Sequence, residues 1–331
     1  MAYYSGHRRE LASRPLLLAM AVALLVCMWL PSFFGIPLQA RLATDYQGFL
    51  YAQLHSWWNP LSVSARLVAL LLVVFCSLLI FYSNHRLRYI REDTLLPIFF
   101  MFLLSGFYAS GHHLSPGIYG LAFMTLALMD FLDFERFSVW TAYDAMFFLS
   151  LGSLFTFHLS WYMTPFLVGM LMVKQLNLRT LSASFMGAIT PYLLTGGYMY
   201  LSNRFNLFWT YLSNVYQSRG FYFDNGQGSW WGIPILAVMG LISLAFFYRQ
   251  YNNDKIQARL SIMFVFILWI FGSLLHFLYP QPALQMVPVT CLFMSILFSH
   301  YFALSKSRFS RIVFILFTLG CVAVYLLTVV F

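Results

Sequence analysis

Residues 67–93 read LVALLLVVFCSLLIFYSNHRLRYIRED, an apolar run that ends in a cluster of basic residues. The part from Leu67 to Ser83 carries no charge and is long enough to cross most of a bilayer core of ~30 Å as a helix. Cations gather where such a helix leaves the membrane on its cytoplasmic side. The stretch therefore predicts a transmembrane helix over 65–83 and a cytoplasmic loop after it.

The same alternation of apolar runs and polar breaks continues along the chain and predicts an all-α, polytopic transmembrane bundle of about eleven helices. These helices are expected at approximately 15–35, 65–83, 95–111, 116–133, 140–157, 159–173, 181–201, 232–249, 260–279, 286–304 and 312–331. The pair 140–157 and 159–173 is open to two interpretations, two short helices or one broken, re-entrant element. The first run is predicted to be an uncleaved helix, and a signal peptide cleaved near Ala40 is the alternative.

The composition excludes an ordinary water-soluble protein. Hydrophobic residues make up 61% of the 331 residues and charged residues only 9%, whereas soluble domains carry about 25% charged residues. The polar-leaning stretches 37–64 and 202–231 are too short to fold alone, so we predict a single transmembrane domain over 1–331. The net charge of +9 is divided into short clusters, a distribution that argues against a nucleic-acid-binding surface.

The positions of the basic residues predict the orientation of the chain. The sequence has 19 Lys and Arg residues. With a cytoplasmic N-terminus, most of them fall in short inner segments, as the positive-inside rule requires. Those on the outer side are Arg41, Arg66, Arg204 and Arg219. We therefore predict that the N-terminus is cytoplasmic and that the C-terminus lies outside.

Two predicted outer loops are longer than a simple connection requires. In 37–64, large apolar side chains recur at helical spacing and predict amphipathic helices in the membrane interface, anchored by Trp57 and Trp58. The loop over 202–231 is rich in Tyr, Phe and Trp and leads into DNGQGSWWG at 224–232. Both loops are expected to lie against the outer membrane surface.

Histidines and carboxylates are sorted between the two predicted faces. The histidines mapped to the outer face are His55, His112, His113, His158 and His276. Only Asp45 and Asp224 lie there with them, whereas inner carboxylates such as Asp254 are expected to be solvated flanking charges. Imidazole and carboxylate suit zinc or manganese, but no HxxxH or HxH spacing predicts a metal site. Interfacial histidines with solvent access are the alternative.

Asp45 is the strongest catalytic candidate. It lies in ARLATDYQGFLY, residues 40–51, close to Arg41 and shortly after the first predicted helix. A carboxylate held beside a cation at the interface can accept a proton from a hydroxyl group while arginines hold a lipid phosphate. A plain surface aspartate on an amphipathic helix is the alternative.

Motifs within 84–213 carry a resemblance to a known family. They are REDTLLPIFFMFLLSG at 91–106, LSPG at 114–117, AYDAMFFLSLGSLF from Ala142 and GAITPYLLTGGYMYL at 187–201. On these motifs the chain resembles a family of uncharacterised bacterial polytopic inner-membrane proteins. The resemblance implies a location in the bacterial cytoplasmic membrane and carries no activity with it.

The same stretch is similar in layout to membrane glycosyltransferases of the C-type fold, which use polyprenyl-phosphate-linked sugars. Those enzymes place a catalytic Asp in the first outer loop, where Asp45 lies. They also have a hairpin that ends in Ser-Pro, like Ser115-Pro116, and a Gly-containing span followed by a Pro-containing one, like Gly152 and Pro165. The family's second acidic residue beside the catalytic Asp and its soluble outer domain have no counterpart here.

The first functional hypothesis is an enzyme of envelope glycan or lipid-linked sugar metabolism with its site at the outer face. In it Asp45 is the base or the ligand of a divalent metal, and His112 or His158 assists. The residues expected to hold the polyprenyl phosphate are Arg41, Arg204 and Arg219. Aromatic outer loops suit this activity, because sugars stack on aromatic rings.

Two other functions remain open. A non-catalytic subunit would keep the glycosyltransferase-like frame and bind other membrane proteins in envelope biogenesis, since a fold does not determine a function. A transporter or lipid flippase would need a polar path through the bundle, with Asp130 or Asp144 as its carboxylate. Membrane lipids are expected to contact the chain under each hypothesis.

Overall fold

The computed structural model describes residues 14–34, 48–107, 112–210, 232–251, 254–278, 285–305 and 307–330. All regular secondary structure within these ranges is helical. The α-helices are α1 (Arg14–Phe33), α2 (Phe49–His55), α3 (Val63–Leu87), α4 (Leu96–Phe107), α5 (Pro116–Phe131), α6 (Val139–Ser153), α7 (Met163–Met172), α8 (Leu178–Leu201), α9 (Gly232–Gln250), α10 (Ile256–Leu278), α11 (Val287–Leu304) and α12 (Arg308–Val330). Two 3-10 helices cover Phe134–Arg136 and Phe157–Tyr162.

Five of the helices in the described residues are long and apolar enough to cross a bilayer, namely α1, α3, α10, α11 and α12. Shorter apolar helices lie within α4, α5 and α9. The chain is therefore an all-helical, multi-pass membrane protein. An α-helix lies within each predicted span, but the number that cross the bilayer stays a prediction. Helix α7, for example, has 10 residues and extends only about 15 Å.

Helix α11 forms the centre of the bundle. It is buried along nearly its whole length and packs against α4, α5, α9 and α10. Phe100 of α4 stacks on Phe302 of α11 with ring centroids 5.4 Å apart, and both rings contact Phe314 of α12. Aromatic pairs of this kind stabilise a core beyond the apolar area that they bury.

Large apolar side chains also cover the outside of the bundle. They occur on several helices, with Leu71 on α3, Leu194 on α8 and Leu316 on α12 each more than half exposed. A water-soluble protein does not tolerate an apolar exterior of this extent. The exterior is therefore the surface that lipid covers.

Helices α6 and α8 form a close pair at the edge of the bundle. Gly187 of α8 lies against the backbone of Tyr143 in α6, and a Cβ atom added at Gly187 would stand 2.3 Å from the Tyr143 carbonyl oxygen. The Ser150 hydroxyl group donates a hydrogen bond to the Ala188 carbonyl oxygen at 2.5 Å. Small residues and interhelical hydrogen bonds hold helices together where lipid gives no hydrophobic driving force between them.

The region 140–173 consists of two separate helices. Helix α6 ends at Ser153, and the 3-10 helix Phe157–Tyr162 leads into α7. The backbone turns sharply after α6, because the amide groups of Phe155 and Thr156 both donate to the Gly152 carbonyl oxygen. The structure has two short helices joined by a break, and both interpretations of this region are compatible with that arrangement.

Charged residues gather at one set of helix ends, here called the arginine rim and defined by Arg86, Arg91, Asp133 and Asp254. Arg86 Nη2 donates to Asp133 Oδ2 at 2.9 Å, and Arg91 Nη1 donates to Asp254 Oδ1 at 3.1 Å. The expectation that Asp254 is a solvated flanking charge is wrong, because its side chain is 1% exposed. Its second oxygen lies 3.4 Å from Nε2 of His300. Packing against other elements buries Asp254, and Arg91 provides the counter-charge.

The loop between α3 and α4 positions Arg91. Asn84 Nδ2 donates to the Glu92 carbonyl oxygen at 3.1 Å, and Asn84 Oδ1 accepts from the Ile90 amide at 2.9 Å. Arg91 itself has a left-handed backbone, with φ 67°. The hydrogen bonds of the buried Asn84 side chain thus determine the loop conformation, and this conformation places Arg91 next to Asp254.

Candidate functional site

The histidines predicted to lie on the outer side gather at the opposite helix ends, here called the histidine rim and defined by His55, His112, His113 and His158. Contacts between helix ends stay within one rim in the described residues. At the histidine rim Arg66 donates to the Ser32 carbonyl oxygen, whereas Arg86, near the other end of the same helix, pairs with Asp133. The two arginines of α3 thus lie at different rims in the described residues, and the side of the membrane that each rim faces stays a prediction.

Helix α2 lies across the helix ends of the histidine rim and is tied to them by its backbone. The Gly48 amide donates to the Phe155 carbonyl oxygen and the Leu50 amide to that of Leu154, both at 2.9 Å. A Cβ atom at Gly48 would stand 2.2 Å from the Phe155 carbonyl carbon, so only glycine permits this approach. The buried Tyr51 hydroxyl group donates to the Leu114 carbonyl oxygen at 3.0 Å. Helix α2 is thus attached to the C-terminal end of α6 and to the loop before α5.

The start of α2 also contacts the C-terminal end of α8. Phe49 packs edge-on against Phe208, with ring centroids 5.9 Å apart, and both belong to a small apolar cluster with Met199. Phe208 lies in a helical stretch whose described part covers 205–210. The exposed Arg204 lies between Met199 and Phe208 in the chain, and its amide donates to the Met199 carbonyl oxygen at 2.9 Å.

These contacts bring together the chain segments that carry several predicted site residues. Gly48 follows Asp45 by three residues, His158 follows Phe155 by three, and Arg204 precedes Phe208 by four. Asp45 itself lies outside the described residues, as do Arg41 and Arg219, the other two arginines assigned to the lipid phosphate. The described parts of the segments next to Asp45, His158 and Arg204 meet at α2.

His158 is buried within the 3-10 helix that follows α6. Its ring meets Trp161 edge-on, with centroids 5.1 Å apart. Burial lowers the pKa of His158 from its ordinary value to about 4. The imidazole is therefore neutral at pH 7, a state in which it can accept or donate a hydrogen bond without carrying charge.

His112 occupies a different part of the rim. It stacks on Trp29 of α1 at 4.7 Å, contacts Tyr325 of α12 and donates from Nε2 to the Gly106 carbonyl oxygen at 3.0 Å. Burial lowers its pKa to about 4. These contacts group His112 with α1 and α12, whereas His158 lies next to the segment that binds α2.

Two tyrosines that sequence reasoning did not select line the region between α2 and α5. Tyr51 and His55 lie one turn apart on α2, with ring centroids 4.0 Å apart, and Tyr119 of α5 meets Tyr51 edge-on at 6.2 Å. Tyr119 also stacks on Phe155 at 4.6 Å. The sequence signals were the i, i+4 spacing of Tyr51 and His55 and the position of Tyr119 just after Ser115-Pro116.

Arg66 and two histidines form a second group at the rim. Burial, the Arg66 charge and His55 together lower the pKa of His113 to about 4. His55 Nδ1 donates to the Trp58 carbonyl oxygen at 2.8 Å. Burial lowers the pKa of His55, and this hydrogen bond opposes the shift. At neutral pH the group consists of one guanidinium cation and two neutral imidazoles.

The carboxylates Asp130 and Asp144 lie away from the histidine rim. Asp130 of α5 lies close enough to Asp144 of α6 and to Arg86 for their charges to interact. Both aspartates thus lie towards the arginine rim, and these are the residues that a transporter path would use. In the described ranges no group of three or more His, Cys, Asp or Glu side chains is placed to hold a metal ion.

The cavity between α3, α4, α5 and α11 lies in the core and is lined mainly by apolar side chains, among them Met101, Leu104 and Cys291. It contains none of the predicted site residues.

No family model matches the chain, and no curated protein is significantly similar to it.

Proposed function

We propose that this protein is a membrane-embedded glycosyltransferase-like enzyme that takes a sugar from a polyprenyl phosphate at the outer face of the bacterial inner membrane. The observation that supports the proposal is the attachment of α2 to the ends of α6 and α8. Gly48 binds Phe155, and Phe49 packs on Phe208. The segments next to Asp45, His158 and Arg204 therefore meet at one place on the histidine rim.

The chemistry assigned to this place is the transfer of a sugar to a hydroxyl group. Asp45 takes the proton of the acceptor hydroxyl group, directly or as a ligand of a divalent cation that binds it. Arg41, Arg204 and Arg219 hold the departing lipid phosphate, for which the planar guanidinium fork is suited. His158 donates a hydrogen bond as a neutral imidazole.

Exposed aromatic side chains near α2 provide surfaces for a sugar or a lipid. Trp57, just after α2, is 91% exposed, and Trp209, next to Phe208, is 65% exposed. Tryptophan at a membrane interface buries its ring among lipid groups and can stack on the apolar face of a sugar. Such rings would hold the donor beside Asp45.

The test is a transfer assay with purified protein in lipid nanodiscs and a polyprenyl-phosphate-linked sugar as the donor. Asp45→Asn is expected to abolish transfer while the thermal unfolding midpoint stays unchanged, because an amide group cannot act as the base. Asp224→Asn, at the second predicted outer carboxylate, is the matched control and is expected to retain activity. A chelator separates the two roles of Asp45, since only the metal-ligand role requires a divalent cation.

Full transfer activity in Asp45→Asn would contradict the proposed mechanism. An inactive wild-type protein with every donor tested would favour a non-catalytic subunit. The exposed Phe205, Leu207 and Trp209 in the helical stretch beside α2 support that second candidate, because a docking surface needs exposed apolar side chains. Substituting these three residues would then weaken association with an envelope protein and leave the bundle folded.

A further inference from the structure

Arg66 is a partly buried cation that no described carboxylate neutralises. At the arginine rim, Arg86 pairs with Asp133 at 2.9 Å and Arg91 with Asp254 at 3.1 Å. Arg66 instead donates to the Ser32 carbonyl oxygen, which is a neutral acceptor. This bond uses only some of the five N–H donors of the guanidinium group. A cation removed from water is stabilised by an anion within contact distance. Among the described residues, Arg66 thus lacks the carboxylate partner that Arg86 and Arg91 have.

The described titratable side chains grouped with Arg66 are two imidazoles, His113 and His55. His113 is 5% exposed and lies near both Arg66 and His55. His55 is oriented by the bond from Nδ1 to the Trp58 carbonyl oxygen, and its Nε2 atom is buried with no hydrogen-bond partner in the described residues. The buried nitrogen has lost its contact with water without gaining another partner. A bound anion would remove this cost by favouring the imidazolium form, in which Nε2 is a donor.

The position of the group indicates the kind of anion. Arg66 lies in the first turn of α3, and Trp58, whose carbonyl oxygen orients His55, donates from Nε1 to Ser64 of that helix at 3.0 Å. Tryptophan and the ends of transmembrane helices lie at the depth of lipid headgroups. Guanidinium and imidazolium groups both donate charge-assisted hydrogen bonds to phosphate oxygens.

We infer that Arg66, His113 and His55 form a binding site for a phosphate diester, carried by a lipid headgroup or by a soluble phosphate ester. The guanidinium group of Arg66 supplies the charge, and His113 donates a hydrogen bond to a phosphate oxygen. His55 donates from Nε2 in its imidazolium form, which a bound anion favours, because Nδ1 already donates to the Trp58 carbonyl oxygen. The site does not depend on catalysis at Asp45, so it exists in an enzyme and in a non-catalytic subunit alike.

The experiment measures binding to the full-length protein in detergent by isothermal titration calorimetry. The probes are dioctanoyl phosphatidylglycerol as an anionic lipid, dimethyl phosphate as a soluble diester, and dioctanoyl phosphatidylcholine as a zwitterionic lipid of the same chain length. We expect tighter binding of phosphatidylglycerol than of phosphatidylcholine. Arg66→Gln should weaken the phosphatidylglycerol affinity by about tenfold or more, the effect of losing a charge-assisted hydrogen bond.

Two further variants keep the test decisive. Arg179→Gln removes an exposed cation at the start of α8 and should leave the affinity unchanged, which controls for the net charge of the protein. His55→Gln should weaken binding several-fold and serves as the main variant if Arg66→Gln fails to fold. Tight binding of dimethyl phosphate would assign the site to a soluble ester, and binding of the lipid alone would assign it to a headgroup. Failure of all three probes to bind, or an unchanged affinity in a folded Arg66→Gln or His55→Gln protein, would overturn the inference.

Discussion

A carboxylate buried inside a protein is stabilised by a cation beside it. Asp254 is such a carboxylate. Its side chain is 1% exposed, Arg91 lies 3.1 Å from one oxygen and His300 lies 3.4 Å from the other. Removing one partner of a buried ion pair leaves the other charge without compensation, which costs more than the pair itself contributes. The backbone of Arg91 accepts a left-handed φ of 67° in the conformation that makes this contact.

We therefore expect Arg91→Gln to lower the free energy of unfolding by about 1–3 kcal/mol, less than for a fully enclosed pair because the arginine is partly exposed. The measurement is the thermal unfolding midpoint in detergent. Asp93→Asn is the control, since the His85–Asp93 pair at 3.3 Å is largely exposed and should contribute less than about 1 kcal/mol. Equal shifts in the two variants would show that Asp254 does not depend on Arg91.

The same pair shows what a sequence tells about single residues. The assignment of arginines to one or the other set of helix ends was predictable, because the positive-inside rule depends only on Lys and Arg positions and on hydropathy. The burial of Asp254 was not, because Arg91 lies 163 residues away in the chain. Arg66 was likewise recognised as an outer cation, but its neutral surroundings became visible only when α1, α2 and α3 were placed side by side.

At the scale of helices, the contact between α6 and α8 depends on the absence of a side chain. Gly187 fits against the Tyr143 carbonyl oxygen, where an added Cβ atom would stand only 2.3 Å away. Gly197, on the same helix, has no neighbouring atom within 4 Å of an added Cβ. The two glycines are equivalent in helix propensity and differ in packing.

Gly187→Ala should consequently lower the free energy of unfolding by about 1–3 kcal/mol through overpacking. Gly197→Ala should leave it unchanged or raise it by up to about 1 kcal/mol through helix propensity. Thermal unfolding of the two single variants in the same detergent distinguishes these outcomes. A loss of the same size in both would mean that α6 and α8 do not pack through Gly187.

The sequence predicts the positions of the helices better than it predicts the elements that join the helix ends. Apolar runs located α1, α3 and α10–α12 because hydropathy alone defines such segments. Within 37–64 the predicted amphipathic segment corresponds to α2, but only to Phe49–His55 in the described residues. Its attachment at Gly48 depends on a backbone contact with Phe155, which no periodicity encodes.

At the scale of the whole molecule, the two rims make the bundle asymmetric across the membrane. One rim contains arginines that are paired with carboxylates, and the other contains histidines, tyrosines and Arg66 without a described carboxylate partner. The positive-inside rule predicts that the arginine rim faces the cytoplasm. The proposed sugar transfer requires that the histidine rim face outward.

Cysteine labelling tests that requirement on intact cells. Ser56, just after α2, and Glu135, between α5 and α6, are both exposed and lie at the histidine rim and the arginine rim respectively. In a Cys27→Ser background, in which the remaining cysteines are buried, a membrane-impermeant maleimide should label Ser56→Cys and spare Glu135→Cys. Permeabilised cells should label both, which controls for reactivity. Labelling of Glu135→Cys alone in intact cells would invert the orientation, and the site at α2 would then face the cytoplasm, where polyprenyl-linked sugars of the outer leaflet cannot reach it.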